Sequence, residues 1–115
     1  MKYVFIILMS VSSLVFAGSA NHSGKISKVM FFTNNWGNYS ETDDGMMVFY
    51  MEPSLPSACG TGDNRIAIGI SHPLYTSVVS AVLAAKMSDS QVNLSYLTTC
   101  SKRSNSWDFG YIGIE

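Results

Sequence analysis

The chain contains two cysteines, Cys59 and Cys100, and no others. With a single pair, the connectivity of an intramolecular disulfide is forced. The loop of about 41 residues that it closes removes roughly 3–4 kcal/mol of conformational entropy from the unfolded chain, a large share of a small domain's net stability. Two free thiols, or a bridge to another chain, are the alternatives. The spacing matches no zinc pattern, and a metal site would need a further ligand from His22 or His72.

Which alternative holds depends on the redox compartment, and the N-terminal segment bears on that. Lys2 supplies a positive start, residues 3–16 an apolar run, and Val15-Phe16-Ala17 a small-x-small cleavage pattern. Residues 1–17 therefore read as a secretory signal peptide, cleaved after Ala17 or, alternatively, after Ala20. An uncleaved anchor is the competing reading, but the run is shorter than the roughly 20 apolar residues of a membrane span. It is also interrupted by Ser10, Ser12 and Ser13. No cysteine near residue 20 supports a lipid anchor. The expected location is secreted or periplasmic, where Cys59 and Cys100 would pair.

Without Lys2 the chain carries six basic against eight acidic side chains. That balance is too weak and of the wrong sign for a nucleic-acid binder. The chain beyond the signal segment suffices for one domain, so two-domain enzymes, solenoids and membrane-spanning architectures are excluded.

Residues 18–23 read as a flexible tail containing His22, and 24–115 as the folded domain. Segment 24–32 (GKISKVMFF) is the first expected strand, with the adjacent Phe31 and Phe32 pointing to a bulge or to burial on both faces. The polar stretch 33–45 is a loop, 46–51 (MMVFYM) a strand stopped by Pro53 and Pro56, and 52–63 a loop pinned by the disulfide. In 64–70 (NRIAIGI), Ile66, Ile68 and Ile70 share one face and Arg65, Ala67 and Gly69 the other; Gly69 leaves room for a close neighbour. Ser71-His72-Pro73 reads as a helix start, and Leu74, Val78, Ala81, Val82 and Ala85 form its apolar face up to Ser88-Asp89-Ser90. Alternation over 91–99 gives a fourth strand ending at Cys100, and 107–114 (WDFGYIGI) a fifth, with Gly110 and Gly113 allowing twist.

The order strand-strand-strand-helix-strand-strand is that of a mainly β, five-stranded OB-fold-like barrel. A ferredoxin-like fold would need a second helix, and an immunoglobulin-like sandwich about seven strands and no helix. With export and one disulfide, the segments GKISKVMFF, RIAIGI after its cysteine, HPLYTSVVSAVLAAKM, VNLSYLTTC and WDFGYIGIE resemble the OB-fold B subunits of bacterial pentameric toxins and similar small secreted bacterial proteins. That resemblance implies a non-enzymatic subunit that binds cell-surface glycans and assembles as a homo-oligomeric ring, a pentamer, carrying a separate catalytic subunit. Cholera-like subunits place a cysteine near their N-terminus, whereas Cys59 lies mid-chain.

Motifs for catalysis are missing: there is no G-x-S-x-G, H-E-x-x-H or P-loop, and Cys59-Gly60-Thr61-Gly62-Asp63 reads as a turn beside a disulfide. His72 reads as a cap for a backbone amide at the helix start rather than a catalytic base. Asp43-Asp44-Gly45 reads as a solvated turn, with a calcium site including Glu41 as the weaker alternative. No metal or cofactor is expected, and no enzyme activity.

The candidate ligand site is built from aromatics in polar loops. Trp36 and Tyr39, with Asn34, Asn35 and Asn38, combine ring faces and amides in the way sugar rings require. Lys102, Arg103 and Trp107 form a second group. In an OB barrel the loops that carry the two groups flank one binding face, so they are expected to converge; the competing reading makes Trp36 and Trp107 plugs of the barrel ends. The mature chain's methionines read as core filler. The function expected is a secreted binding protein for a glycan or a partner protein. The alternative is a structural or assembly subunit of a secreted complex with no soluble ligand.

Overall fold

The computed structural model describes residues 18–115; the signal-peptide reading of 1–17 lies outside the described residues. Over the described residues the protein is mainly β with one helix, and the five strands form one closed sheet. The strands are β1 (Ser19–Thr33), β2 (Gly45–Glu52), β3 (Arg65–Gly69), β4 (Val92–Leu97) and β5 (Trp107–Ile114), and α1 (Tyr75–Ser88) falls between β3 and β4. Neighbours run β1-β2-β3-β5-β4, with β4 returning to β1. The β3–β5 pair is parallel and the others antiparallel. Among the described residues no helix is long and apolar enough to cross a membrane.

Closure depends on β1, which starts earlier than its side chains announce. Residues 18–23 are not a free tail: Ser19 pairs with Leu97 and Gly24 with Val92 of β4, after which Lys25 opens the pairing with β2. His22 sits within this strand, its Nε2 2.6 Å from the Pro53 carbonyl. Polar Ser, Asn and His carry little strand signal of their own, and the backbone ladder to β4 supplies what propensity does not. One strand can serve two neighbours in succession only by bending, and Gly24 marks the bend. A Cβ there would lie 2.5 Å from the Glu52 carbonyl oxygen.

Two bulges add curvature. In β1, Ile26 faces Met51 and Lys28 faces Tyr50, so Ser27 is the extra residue. In β5, Phe109 faces Tyr96 and Tyr111 faces Ser95, so Gly110 is skipped, and a Cβ on it would lie 2.5 Å from the Ser95 carbonyl oxygen. The adjacent Phe31 and Phe32 mark neither a bulge nor burial on both faces: they pair in regular register with Met47 and Met46, and Phe31 is exposed, while the bulge of β1 falls at Ser27.

Inside the sheet, Met47, Phe49 and Met51 of β2, Ile66 and Ile68 of β3, and Val92, Leu94 and Tyr96 of β4 pack against Val78, Val82 and Ala85 of α1. The helix buries the expected face apart from its start. Ser71 is not the cap: α1 begins at Tyr75 with Leu74 in the N-cap position and exposed. Residues 71–74 form a turn in which the Leu74 amide donates to His72 Nδ1 at 3.0 Å, so His72 does serve a backbone amide. Ile70 is also displaced from the expected inner face and is 55% exposed, because β3 ends at Gly69 and alternation stops there. At the other end Asp89 takes a left-handed conformation (φ 55°), and the Ser90 amide reaches back to the Ala85 carbonyl at 3.0 Å.

Candidate functional site

The sheet carries a second buried layer on its outer face. Alternation turns Met46, Val48 and Tyr50 of β2, and Arg65, Ala67 and Gly69 of β3, away from the main core. The register aligns them with β1 in three rows: Phe32–Met46–Gly69, Met30–Val48–Ala67 and Lys28–Tyr50–Arg65. Met46, Val48 and Ala67 are buried nonetheless. The loop joining β4 and β5, residues 98–106, lies over them. The Lys102 stem crosses Gly69 so closely that a Cβ there would be 2.7 Å from its Cε, which is the close neighbour Gly69 made room for. Arg103 stacks its guanidinium 4.7 Å from the Phe32 ring centroid, and Ser106 is completely buried, bonded to Arg65.

Two devices hold this loop. Cys59 and Cys100 are disulfide-bonded, with Cα atoms 6.5 Å apart. The strands beside them are not adjacent, because β5 lies between β3 and β4. The bond instead ties the loop before β3 to the loop after β4, at the end of the sheet where β3 and β5 begin. Cys59 (φ 50°), Gly60 (φ 72°) and Gly62 (φ 87°) make the stretch around it a tight turn.

The second device is Asp108. Its carboxylate accepts hydrogen bonds from Thr99 Oγ1, from the Ser101 amide at 2.9 Å and from the Lys102 amide at 3.1 Å. Partial burial alone would raise its pKa, but these donors outweigh it and hold the carboxyl below its ordinary value. The stability it contributes is therefore complete above the unfolded value near 4 and is lost as pH falls through the lower folded value. Asp108→Ala is expected to cost about 1.5–3 kcal/mol at neutral pH, the range for hydrogen bonds to a charged group. In acid melts the difference between Asp108→Ala and the parent should shrink below about pH 4. A pH-independent difference would show that the carboxylate's charge plays no part.

The loop between β1 and β2, residues 34–44, is closed by its own polar groups. The Asn34 amide donates to the Asp44 carbonyl at 2.9 Å, and the Asn35 amide to Asp43 Oδ2 at 2.8 Å. The Asp43 carboxylate is thereby engaged, and among the described residues no three His, Cys, Asp or Glu side chains gather into a metal-binding group. Trp36 and Tyr39 project from this loop, 75% and 91% exposed.

Trp36 meets the other loop. Together with Met30, Phe32, Arg65, Arg103 and Asn105 it lines a cleft of about 300 Å³. A second cleft of about 420 Å³, also lined by Trp36 and Phe32, takes in Phe31, Asn38 and Tyr39. The expected convergence of the first and last loops is thus made by Trp36 and Arg103, and the other two members of the second group lie elsewhere. Trp107 packs on Tyr96 at 5.4 Å between ring centroids, and its Nε1 donates to the Pro56 carbonyl at 2.9 Å. It is packed against the main core and does not line the Trp36 cleft. Lys102 lines a separate cleft of about 480 Å³ with His72, Thr99, Ser101 and Asp108.

Met30, Phe32, Arg65 and Asn105 are the members that sequence reasoning did not place in the site. Arg65 had a signal: it is the one charged residue in an otherwise apolar strand, on the face shared with Ala67 and Gly69, whose small size announces a covering element. Compared with known proteins, the chain matches no protein family, no curated protein and no solved structure.

Proposed function

We propose that the chain is a secreted, non-enzymatic binding protein on an OB-type barrel, which takes a glycan or a partner protein at the cleft beside Trp36. The observation that carries this reading is Trp36 itself, three-quarters exposed on the rim of a cleft walled by two strands and two loops. An indole left in solvent contributes little to the fold, and aromatic faces next to amide and guanidinium donors suit ligands with apolar faces and polar edges. The OB-type reading draws support from the sheet order, the parallel β3–β5 closure and the helix between β3 and β4. The disulfide fits an oxidising, secreted or periplasmic setting. The likeness in layout to toxin B subunits extends the reading to a homo-oligomeric ring.

The second reading is an assembly subunit without a soluble ligand, and exposed Leu74, Leu83 and Met87 on or beside α1, with Tyr111 and Ile114 on β5, favour it. Size exclusion with light scattering, followed by a glycan array, separates the two. Glycan binding supports the first, and a ring or complex that binds no glycan supports the second.

The two tryptophans test the site directly. Trp36→Ala is expected to weaken ligand binding by about 1–3 kcal/mol while moving the melting temperature little. Trp107→Ala is expected to destabilise by about 3 kcal/mol, the low end for a truncated tryptophan because the ring is part-exposed. On the scaling for a domain of this size that is a loss of more than about 10 °C. A loss of that size in Trp36→Ala would assign this tryptophan to the core and remove it from the site.

A further inference from the structure

Among the described residues, the lining of the cleft beside Trp36 includes two cations and no anion. Arg65 is only 8% exposed, and among the described residues its guanidinium is fixed by neutral groups: Nε donates to Ser106 Oγ at 2.8 Å, Nη2 to Asn105 Oδ1 at 2.8 Å and Nη1 to Tyr50 Oη at 3.3 Å. Arg103 Nε is buried and has no hydrogen-bond partner among the described residues. Both guanidiniums stand over the same Phe32 ring, at 5.6 Å and 4.7 Å from its centroid. The ion pair formed among the described residues, Lys25 with Asp89, lies elsewhere on the surface.

Burying a charge is costly unless an opposite charge or a full set of hydrogen bonds compensates it. Three bonds to neutral acceptors leave two of the five N–H groups of Arg65 without a partner among the described residues, and the stacking on Phe32 adds cation–π attraction without supplying an opposite charge. Two like charges over one ring also repel each other. The arrangement is therefore pre-organised but electrically incomplete, and an anion entering beside Arg103 would complete it with charge-assisted, fork-shaped hydrogen bonds. The cleft volume of about 300 Å³ is at the bottom of the usual range for small-ligand sites, which suits a single ring rather than a chain of rings. Trp36 offers that ring a face.

Resting on the proposed reading of this cleft as a glycan site, we propose that it selects an acidic sugar: one ring stacked on Trp36, with a carboxylate or sulfate group held by Arg103 and Arg65. Neutral sugars would satisfy the ring face and leave the two cations uncompensated. Selectivity then comes from the charge and should weaken with salt.

The experiment is calorimetric titration of the protein with glucuronic acid, galactose 6-sulfate and neutral galactose, each at low and at physiological ionic strength. At least one acidic sugar is expected to bind ten-fold or more tighter than galactose, and the better of the two identifies carboxylate or sulfate as the group recognised. Arg103→Gln, read together with its melting temperature, is expected to keep the fold and remove that preference; Arg65→Lys serves as the second variant, retaining charge but losing the fork. If galactose binds as tightly as both acids and Trp36→Ala abolishes it, the acidic selectivity is overturned while the glycan reading stands. If none of the three binds, both are overturned. An acid preference that survives intact in a folded Arg103→Gln also overturns the proposal.

Discussion

Replacing Cys59 and Cys100 together by alanine is expected to destabilise the protein by roughly 3–4 kcal/mol, the chain-entropy value for a closed loop of about 41 residues. For a domain of this size that corresponds to a fall of roughly 12–30 °C in melting temperature. The effect should reach beyond the bond. Cys100 opens the segment that carries Arg103, Asn105 and Ser106 over the outer face of β3, and Cys59 is its anchor. Loss of the link leaves that segment to the hydrogen bonds of Asp108 and to those of Arg65 with Asn105 and Ser106. Faster amide exchange is therefore expected through 98–106 in the double variant, with the β1–β4 ladder exchanging as before. A variant that melts within about 5 °C of the parent would show that packing on the outer face already restrains the loop. Intact-mass measurement with and without reductant, differing by two hydrogens, checks the bond itself.

Val82→Asp is expected to abolish folding. Val82 is fully buried at the centre of the α1 face, between Val78 and Ala85. An unpaired carboxylate there costs several kcal/mol even if it takes up a proton, against a net stability of roughly 5–15 kcal/mol for a domain. Loss of the cooperative melt and an enlarged hydrodynamic radius are the expected readouts. Lys86→Asp, one turn on, is the control. Lys86 is exposed and donates to the Ser27 carbonyl at 3.1 Å. Losing that bond and placing an acid near the helix C-terminus should together cost about 1 kcal/mol or less. If the two variants melt alike, α1 docks through a different face.

The candidate site was half legible from sequence, and the division follows the range of the forces involved. Trp36 and Tyr39 could be found because an aromatic in a polar, Gly- and Asn-rich loop has no nearby core to enter, a purely local argument. Lys102, Arg103 and Trp107 lie within six residues of one another, yet they separate onto different surfaces. Lys102 crosses Gly69, Arg103 stacks on Phe32, and Trp107 turns to Tyr96 and Pro56. Which way each one points is set by Asp108 gathering the loop's amides and by the outer rows beneath the loop, neither of which any local pattern expresses.

The sequence by itself determined the mainly β class, the single helix and its buried face, and the one possible disulfide. Each follows from periodicity or from counting: alternation over β3 and β4, three- and four-residue spacing over α1, and two cysteines. Only the tertiary structure decided that Ser19 to Gly24 pair as a strand, because a polar segment is ordered by a β4 ladder that closes over some seventy residues of intervening chain. Only the tertiary structure, likewise, brought Arg65 under Asn105 and beside Arg103. Those contacts span 40 residues of sequence, and their cause is a loop pinned across β5 onto the outer face of the sheet.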